Sequence, residues 1–482
     1  MTSVEIQKNI LTQEQESCVN FDAGDLLIRG VAGSGKSYVI LKRAVKLYKE
    51  KEKQKSVAIF TYANSLVKYT DDLITAKLGE SEIEVLTVDS YCMGIYCKIT
   101  GRNFYISKPE DYSRLVQDTL AEHKKRVPIK HRFYTMAPSF FEEEFRWIRE
   151  KCIKSREEYV KADRKGRGAQ IRLSNQDKEI AWSIYALFQE NAKRARYLDW
   201  PDLYMFLNDN MYRIPEDKKI DYILVDEAQD MTVGKLRLLK GLTRESLTIA
   251  ADVAQKIYKT SFTWKEVGID ISGRSSKSLS KSFRSTKQIV LLAEDLMAYN
   301  RKSESNSDEY TVAVLPEQEG LKPRLVRCNS MEIEKTYLIN LLKGYDLSKE
   351  VVGIICRTDR DVDEMRSLLS RNYLGYEFVD KKKKSEAKWS LLRPGIKVVK
   401  AHSSKGLEFD RVIIPYLEDS KYPYRLFNIE EEQMEEYMRM ERSILYVVMT
   451  RARKSLTMIC YKLAASRFIG EFDSEHYEVE NV

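Results

Sequence analysis

The string Gly30-Val-Ala-Gly-Ser-Gly-Lys-Ser37 restricts the folds open to this chain more than any other stretch. It follows the apolar run 25–29 and precedes the helix-like run 38–48, so it reads as strand, glycine loop, helix. Glycines let consecutive backbone N–H groups turn inward around an anion, and the helix that follows adds the positive end of its dipole. Gly30, Ala32, Gly33, Ser34 and Gly35 would form the cradle for nucleotide phosphates. Lys36 is placed to reach the β- and γ-phosphates and Ser37 to ligate Mg²⁺. A turn that is merely rich in small residues does not explain why a lysine and a hydroxyl follow its last glycine.

A second signal fits the first. The run Ile223-Leu-Val-Asp226-Glu227-Ala-Gln-Asp230 ends an apolar strand in two adjacent carboxylates. In an α/β sheet such a strand delivers them to the carboxyl edge, beside the glycine loop. Asp226 would hold Mg²⁺ through water, and Glu227 would orient or deprotonate an attacking water.

Around these motifs, strand-like and helix-like runs alternate, the pattern of α/β domains with parallel sheets. The first set of strands is expected at 25–29, 57–61, 85–88, 222–225 and 247–251. The second is expected at 324–328, 351–356, 396–400, 411–415 and 456–460, with helices at 331–343 and 362–372 between them. The stretch separating 88 from 222 is charged, aromatic and mostly helix-like, and reads as a helical insertion. The expected organisation is a first α/β domain from 1–91 and 222–276, a helical insertion at 92–221, and a second α/β domain at 277–482.

Composition removes other classes. No segment approaches the apolar length of a membrane span, and residues 1–20 lack the core of a signal peptide, so a cytoplasmic location without membrane contact is expected. The seven cysteines are scattered without a CxxC pair, and there are four histidines, which disfavours a disulfide framework or a zinc site. A formal net charge of +8 is compatible with nucleic acid without requiring it.

The ordered motif set resembles the superfamily 1 helicases of the UvrD/Rep/PcrA type over nearly the whole chain. Leu11-Thr-Gln-Glu-Gln15 resembles the adenine-reading segment, with Gln15 on the base. Phe60-Thr61-Tyr-Ala-Asn64 and Thr87-Val-Asp-Ser-Tyr91 resemble the segments that touch single strands. Ala250-Ala-Asp252-Val-Ala-Gln255-Lys-Ile-Tyr258 resembles the segment coupling γ-phosphate to DNA, with Gln255 as the sensor. Leu279-Ser-Lys-Ser-Phe-Arg284-Ser and Glu441-Arg-Ser-Ile-Leu-Tyr446-Val-Val-Met-Thr450-Arg451 resemble the segments that each supply an arginine to the transferred phosphoryl group. His402-Ser-Ser-Lys405-Gly406-Leu-Glu408-Phe-Asp410 resembles a second-domain segment that meets both nucleotide, at Gly406 and Glu408, and DNA, at His402. Tyr258 and Trp264, with Phe262 between them, are the aromatic candidates for stacking on bases.

The resemblance implies two RecA-like domains with an ATP site between them. It implies ATP and Mg²⁺ as cofactors, and single-stranded DNA or a tailed duplex as partner, with movement 3′ to 5′. Three departures qualify it. Ala251 stands where a glycine is usual, Phe283 where a tyrosine is usual, and only residues 380–395 remain where longer relatives carry a regulatory insertion. The last departure keeps two alternatives open: an ATPase that remodels protein–DNA complexes without unwinding, and a regulatory ATPase subunit gating a partner nuclease in repair or anti-phage defence.

Overall fold

The computed structural model describes residues 11–50, 55–61, 83–127, 130–162, 173–252, 264–269, 275–302, 314–379, 393–424 and 431–482. The first part runs α1 (Gln13–Val19), β1 (Leu26–Gly30), α2 (Lys36–Glu50), β2 (Val57–Thr61) and β3 (Glu84–Thr87). Six helices follow: α3 (Val88–Thr100), α4 (Pro109–Arg126), α5 (Pro138–Glu150), α6 (Arg156–Lys161), α7 (Asn175–Ala195) and α8 (Trp200–Asp209). The chain then returns through β4 (Ile220–Val225), α9 (Val233–Leu242), β5 (Thr243–Ala251) and β6 (Ser276–Leu279). The second part comprises α10 (Lys287–Lys302), β7 (Arg324–Cys328), α11 (Met331–Lys343), β8 (Val351–Cys356), α12 (Asp359–Arg371) and β9 (Tyr376–Val379). It ends with β10 (Gly395–Lys400), β11 (Phe409–Ile414), α13 (Glu431–Met449), β12 (Ala452–Tyr461) and β13 (Glu478–Asn481).

Two sheets result, both α/β with parallel pairings. The first has the order β3-β2-β4-β5-β1-β6 and the second β13-β7-β12-β11-β8-β10-β9. Strands buried on both faces lose the polar alternation of a one-sided sheet, and β2 and β4 are buried at every position. In the first sheet β1 and β4 both flank β5. Their carboxyl ends therefore place the glycine loop, Asp252 and the Asp226–Glu227 pair side by side.

One strand without an apolar signature extends the first sheet. β6 pairs with β1, Leu27 opposite Ser276 and Gly30 opposite Leu279, so the first sheet continues past residue 276. Its polar sequence, Ser-Lys-Ser-Leu, buries only Leu279, which left it without a strand signature. The helical stretch is also less separate than expected. Val88, Cys92 and Ile95 of α3 and Leu203 and Leu207 of α8 share the core of Phe60 and Ile223. A second core, built on Phe133, Phe141, Phe145, Tyr185 and Phe188, lies among the helices between them. Arg149 is buried beside that core and ion-pairs with Asp199 at 2.7 Å and Asp202 at 3.2 Å. Among the described residues, no helix is long and apolar enough to cross a membrane.

Candidate active site

The glycine loop is shaped by contacts a side chain would break. Gly33 and Gly35 have φ of +75° and +83°, a region L-residues avoid. A Cβ on Gly33 would lie 2.5 Å from Cβ of Arg284, and one on Gly30 would lie 2.6 Å from Oγ of Ser34. Ser34 Oγ is buried without a hydrogen-bond partner. Lys36, 7% exposed, donates from Nζ to the carbonyls of Gly30 (2.8 Å) and Val31 (2.9 Å) and pairs with Asp252 at 3.1 Å. A concave backbone, an orphaned hydroxyl and a buried ammonium fit a polyphosphate. Gln15 closes one side. It forms a capping box with Thr12, and its Nε2 donates to the Ser34 carbonyl at 3.1 Å.

Ser37 opens toward the carboxylates. Its Oγ donates to Asp226 Oδ2 at 2.5 Å. This hydroxyl–carboxylate pair is the oxygen donor set that suits Mg²⁺ beside phosphate oxygens. Burial raises the Asp226 pKa, and the adjacent Glu227 charge raises it further. Glu227 moves the opposite way. Burial alone would raise it, but the charges of Lys405, Lys36 and Arg451 outweigh burial and hold it ionised. Its backbone sits at φ +56°, left-handed for a non-glycine residue, the kind of strain that concentrates at functional sites. Gln229 Nε2 donates to its carboxylate at 2.5 Å, while Gln229 Oε1 accepts from the Asp252 N–H at 3.0 Å.

Loops of the second sheet and the segment between β6 and α10 meet this edge. Lys405 Nζ pairs with Asp230 at 2.7 Å and approaches Glu227 to 3.6 Å. Arg284 Nε donates to Glu408 at 2.7 Å, and Phe283 N–H donates to the Gly33 carbonyl at 2.9 Å. Arg451 is fully buried, with Nε on the Val447 carbonyl at 2.9 Å. Burial, then the neighbouring Arg284 charge, pulls its pKa down to about 9. Gly406, at φ +79°, turns the loop between Lys405 and Glu408. The structure thus brings Gln15, the glycine loop, Lys36, Ser37, Asp226, Glu227, Arg284, Gly406, Glu408 and Arg451 into one cleft. Lys405, Gln229 and Asp230 were given no role from sequence. They lie inside quoted motifs, but no spacing rule links a lysine of one domain to an aspartate of the other.

The expected strand contacts separate into groups. Gln255, Asn64, Tyr258 and Phe262 lie outside the described residues. Phe60 is corrected to a core residue. Its ring is 0% exposed and edge-on to Tyr91 at 5.5 Å, so no base can reach it. Tyr91 is part-buried and donates its hydroxyl to the Lys218 carbonyl at 2.7 Å. Thr87 caps α3 by accepting the Ser90 N–H at 3.2 Å, and Thr61 lies nearby at the end of β2. Trp264 packs at the margin of the first core. Burial, then Arg357 and Lys400, lower the His402 pKa to about 4, which leaves a neutral ring at neutral pH.

A family model described as the UvrD/REP helicase N-terminal domain matches residues 11–265, more than half of the chain. The chain belongs to the UvrD/REP helicase family. A model of the UvrD-like helicase C-terminal domain matches residues 382–463. An ATP-dependent DNA helicase PcrA from Staphylococcus epidermidis (strain RP62A) is 26% identical over 315 residues, 60% of this chain and 40% of that protein. A PcrA from Staphylococcus aureus (strain Mu50) is 26% identical over 317 residues, 61% of this chain and 40% of that protein. The match spans about 40% of the length of these curated relatives. A solved C-terminal domain of a possible DNA helicase from Lactobacillus plantarum shows 21% identity and a TM-score of 0.30, covering 41% of this chain and 98% of that one.

Proposed function

We propose that this UvrD-like protein hydrolyses ATP in the cleft and uses the energy to move 3′ to 5′ along single-stranded DNA. The observation that carries the reading is the facing arrangement of the cleft. Lys36, Asp226 and Glu227 come from the first sheet, Arg284 from the segment that joins β6 to α10, and Lys405 and Arg451 from the second sheet. Gln15 lies beside the glycine loop for the adenine, and Gly406 and Glu408 border the nucleotide from the other side.

In this reading Lys36 exchanges its loop carbonyls and Asp252 for the β- and γ-phosphate oxygens. Ser37 and Asp226 would hold Mg²⁺, which would supply charge neutralisation on the phosphates. Glu227, kept ionised by Lys405 and its other cationic neighbours, orients a water and takes its proton as the water oxygen attacks the γ-phosphorus. The bond to the ADP oxygen breaks, and ADP and inorganic phosphate result. Arg284 and Arg451 meet the charge that develops on the transferred group. Gln255, by resemblance, senses the γ-phosphate. Loss of that group removes one bridge between the two halves, and the cleft opens. Alternate closing and opening moves a strand that each half grips differently. The short segment 380–395 favours translocation over processive strand separation. The same reading divides the chain into a first ATP-binding unit, a helical insertion, and a second unit beginning after β6.

Streptavidin displacement tests it. With ATP, the protein should clear streptavidin from the 5′ end of a biotinylated oligonucleotide faster than from the 3′ end. It should unwind a 3′-tailed duplex weakly or not at all. Displacement confined to the 3′ end would overturn the direction.

A further inference from the structure

We propose that Lys235, on α9, grips a backbone phosphate of the bound single strand, and that Asp89 holds it ready for that contact. The inference rests on the DNA reading above and adds a residue outside the quoted motifs. The carboxyl ends of β2 and β3 leave a small pocket lined by Thr61, Thr87, Val88, Asp89, Met231 and Lys235. Lys235 Nζ pairs with Asp89 Oδ1 at 2.7 Å and lies 5.0 Å from the centroid of the Tyr204 ring, while the Tyr204 hydroxyl donates to the same carboxylate. Lys235 is 16% exposed and Asp89 37%. The lysine is therefore held in place in the pocket lining, with part of its side chain open to solvent. Holding a flexible cation in place before binding lowers the ordering cost of gripping an anion.

The ion pair does not close the site. A partly exposed pair is worth little by itself, and an ammonium has three donors, so a phosphate can share or replace Asp89. Thr61 and Thr87 line the same pocket. Placement gives the contact its consequence. α9 starts at Val233, directly beyond Asp230, the carboxylate that receives Lys405 across the cleft. A strand held at Lys235 bears on the helix that follows the catalytic acids.

Fluorescence anisotropy of a labelled oligo-dT across a potassium chloride series tests the inference, with thermal melting to show that each variant is folded. Lys235→Ala should weaken binding about five- to tenfold at low salt. It should also lower the log–log salt slope by about 0.7, the single-strand value for one lost phosphate contact. Lys235→Arg should restore the slope. Asp89→Asn, which keeps an acceptor for Lys235 but removes the competing charge, should tighten binding severalfold, whereas Asp89→Ala, which releases the lysine, should bind severalfold more weakly than Asp89→Asn. Wild-type affinity and slope in Lys235→Ala, or binding in Asp89→Ala as tight as in Asp89→Asn, would overturn the proposal. A wild-type protein that binds no oligonucleotide at all would instead overturn the DNA reading on which it stands.

Discussion

Lys36 and Glu227 have the most sharply defined tasks in the cleft. The lysine ammonium is held by two loop carbonyls and Asp252, and the glutamate by Gln229 and Lys405. Lys36→Ala and Glu227→Gln should each abolish ATP turnover in a coupled phosphate-release assay. A rate within twofold of wild type in either would contradict the assignment. Arg284→Ala should lower kcat by roughly a thousandfold, because the transferred group loses the planar fork of donors that meets its oxygens. Lys405 makes a subtler prediction. Burial raises the Glu227 pKa and cationic neighbours lower it, Lys405 foremost. Lys405→Ala should therefore raise that pKa. The base must be ionised to work, so the acid limb of the kcat–pH profile should move to higher pH. A limb that stays in place would show that Lys405 does not set the charge of Glu227.

At the scale of elements, the second sheet stores a titratable group outside the cleft. Glu334 on α11 is 1% exposed, and one carboxylate oxygen accepts the Tyr416 N–H at 2.8 Å while the other has no hydrogen-bond partner. Burial, reinforced by Glu418, raises its pKa to about 8. Between the ordinary value of 4.5 and about 8 the folded state holds a proton that the unfolded state has lost. Stability from this group therefore falls as pH rises through that window. Glu334→Gln, an uncharged mimic, should flatten the fall and gain on the order of 2 kcal/mol near pH 8.5, read from denaturant midpoints. A variant less stable than wild type at that pH would contradict this.

The elements also explain what the sequence could disclose. β1 and β4 are apolar because parallel strands are covered on both faces, and each runs straight into its motif, so the glycine loop and the acid pair were legible together. β6, β9 and β13 were not. They are sheet-edge strands, half-exposed or polar along most of their length, and present no apolar run. Phe60 was misread because its motif position points to DNA while a strand buried on both faces leaves its ring no outlet. The Lys405–Asp230 pair was invisible because its partners lie in different domains and meet only when the chain folds.

Taken whole, the molecule has one cleft that would answer to two ligands. Its walls come from separate sheets, joined by Lys405–Asp230 and, through the segment that follows β6, by Arg284–Glu408. Nucleotide would bind in the cleft, and the strand would run over the outer edges of the same two sheets. A net charge of +8 supports such a partner but does not select it. The most direct measurement is ATP hydrolysis with Mg²⁺, with and without single-stranded DNA, across a salt series. Strong stimulation by the strand that fades as salt rises is the expected result, because phosphate contacts release counterions. Hydrolysis indifferent to the strand at every salt concentration would contradict it.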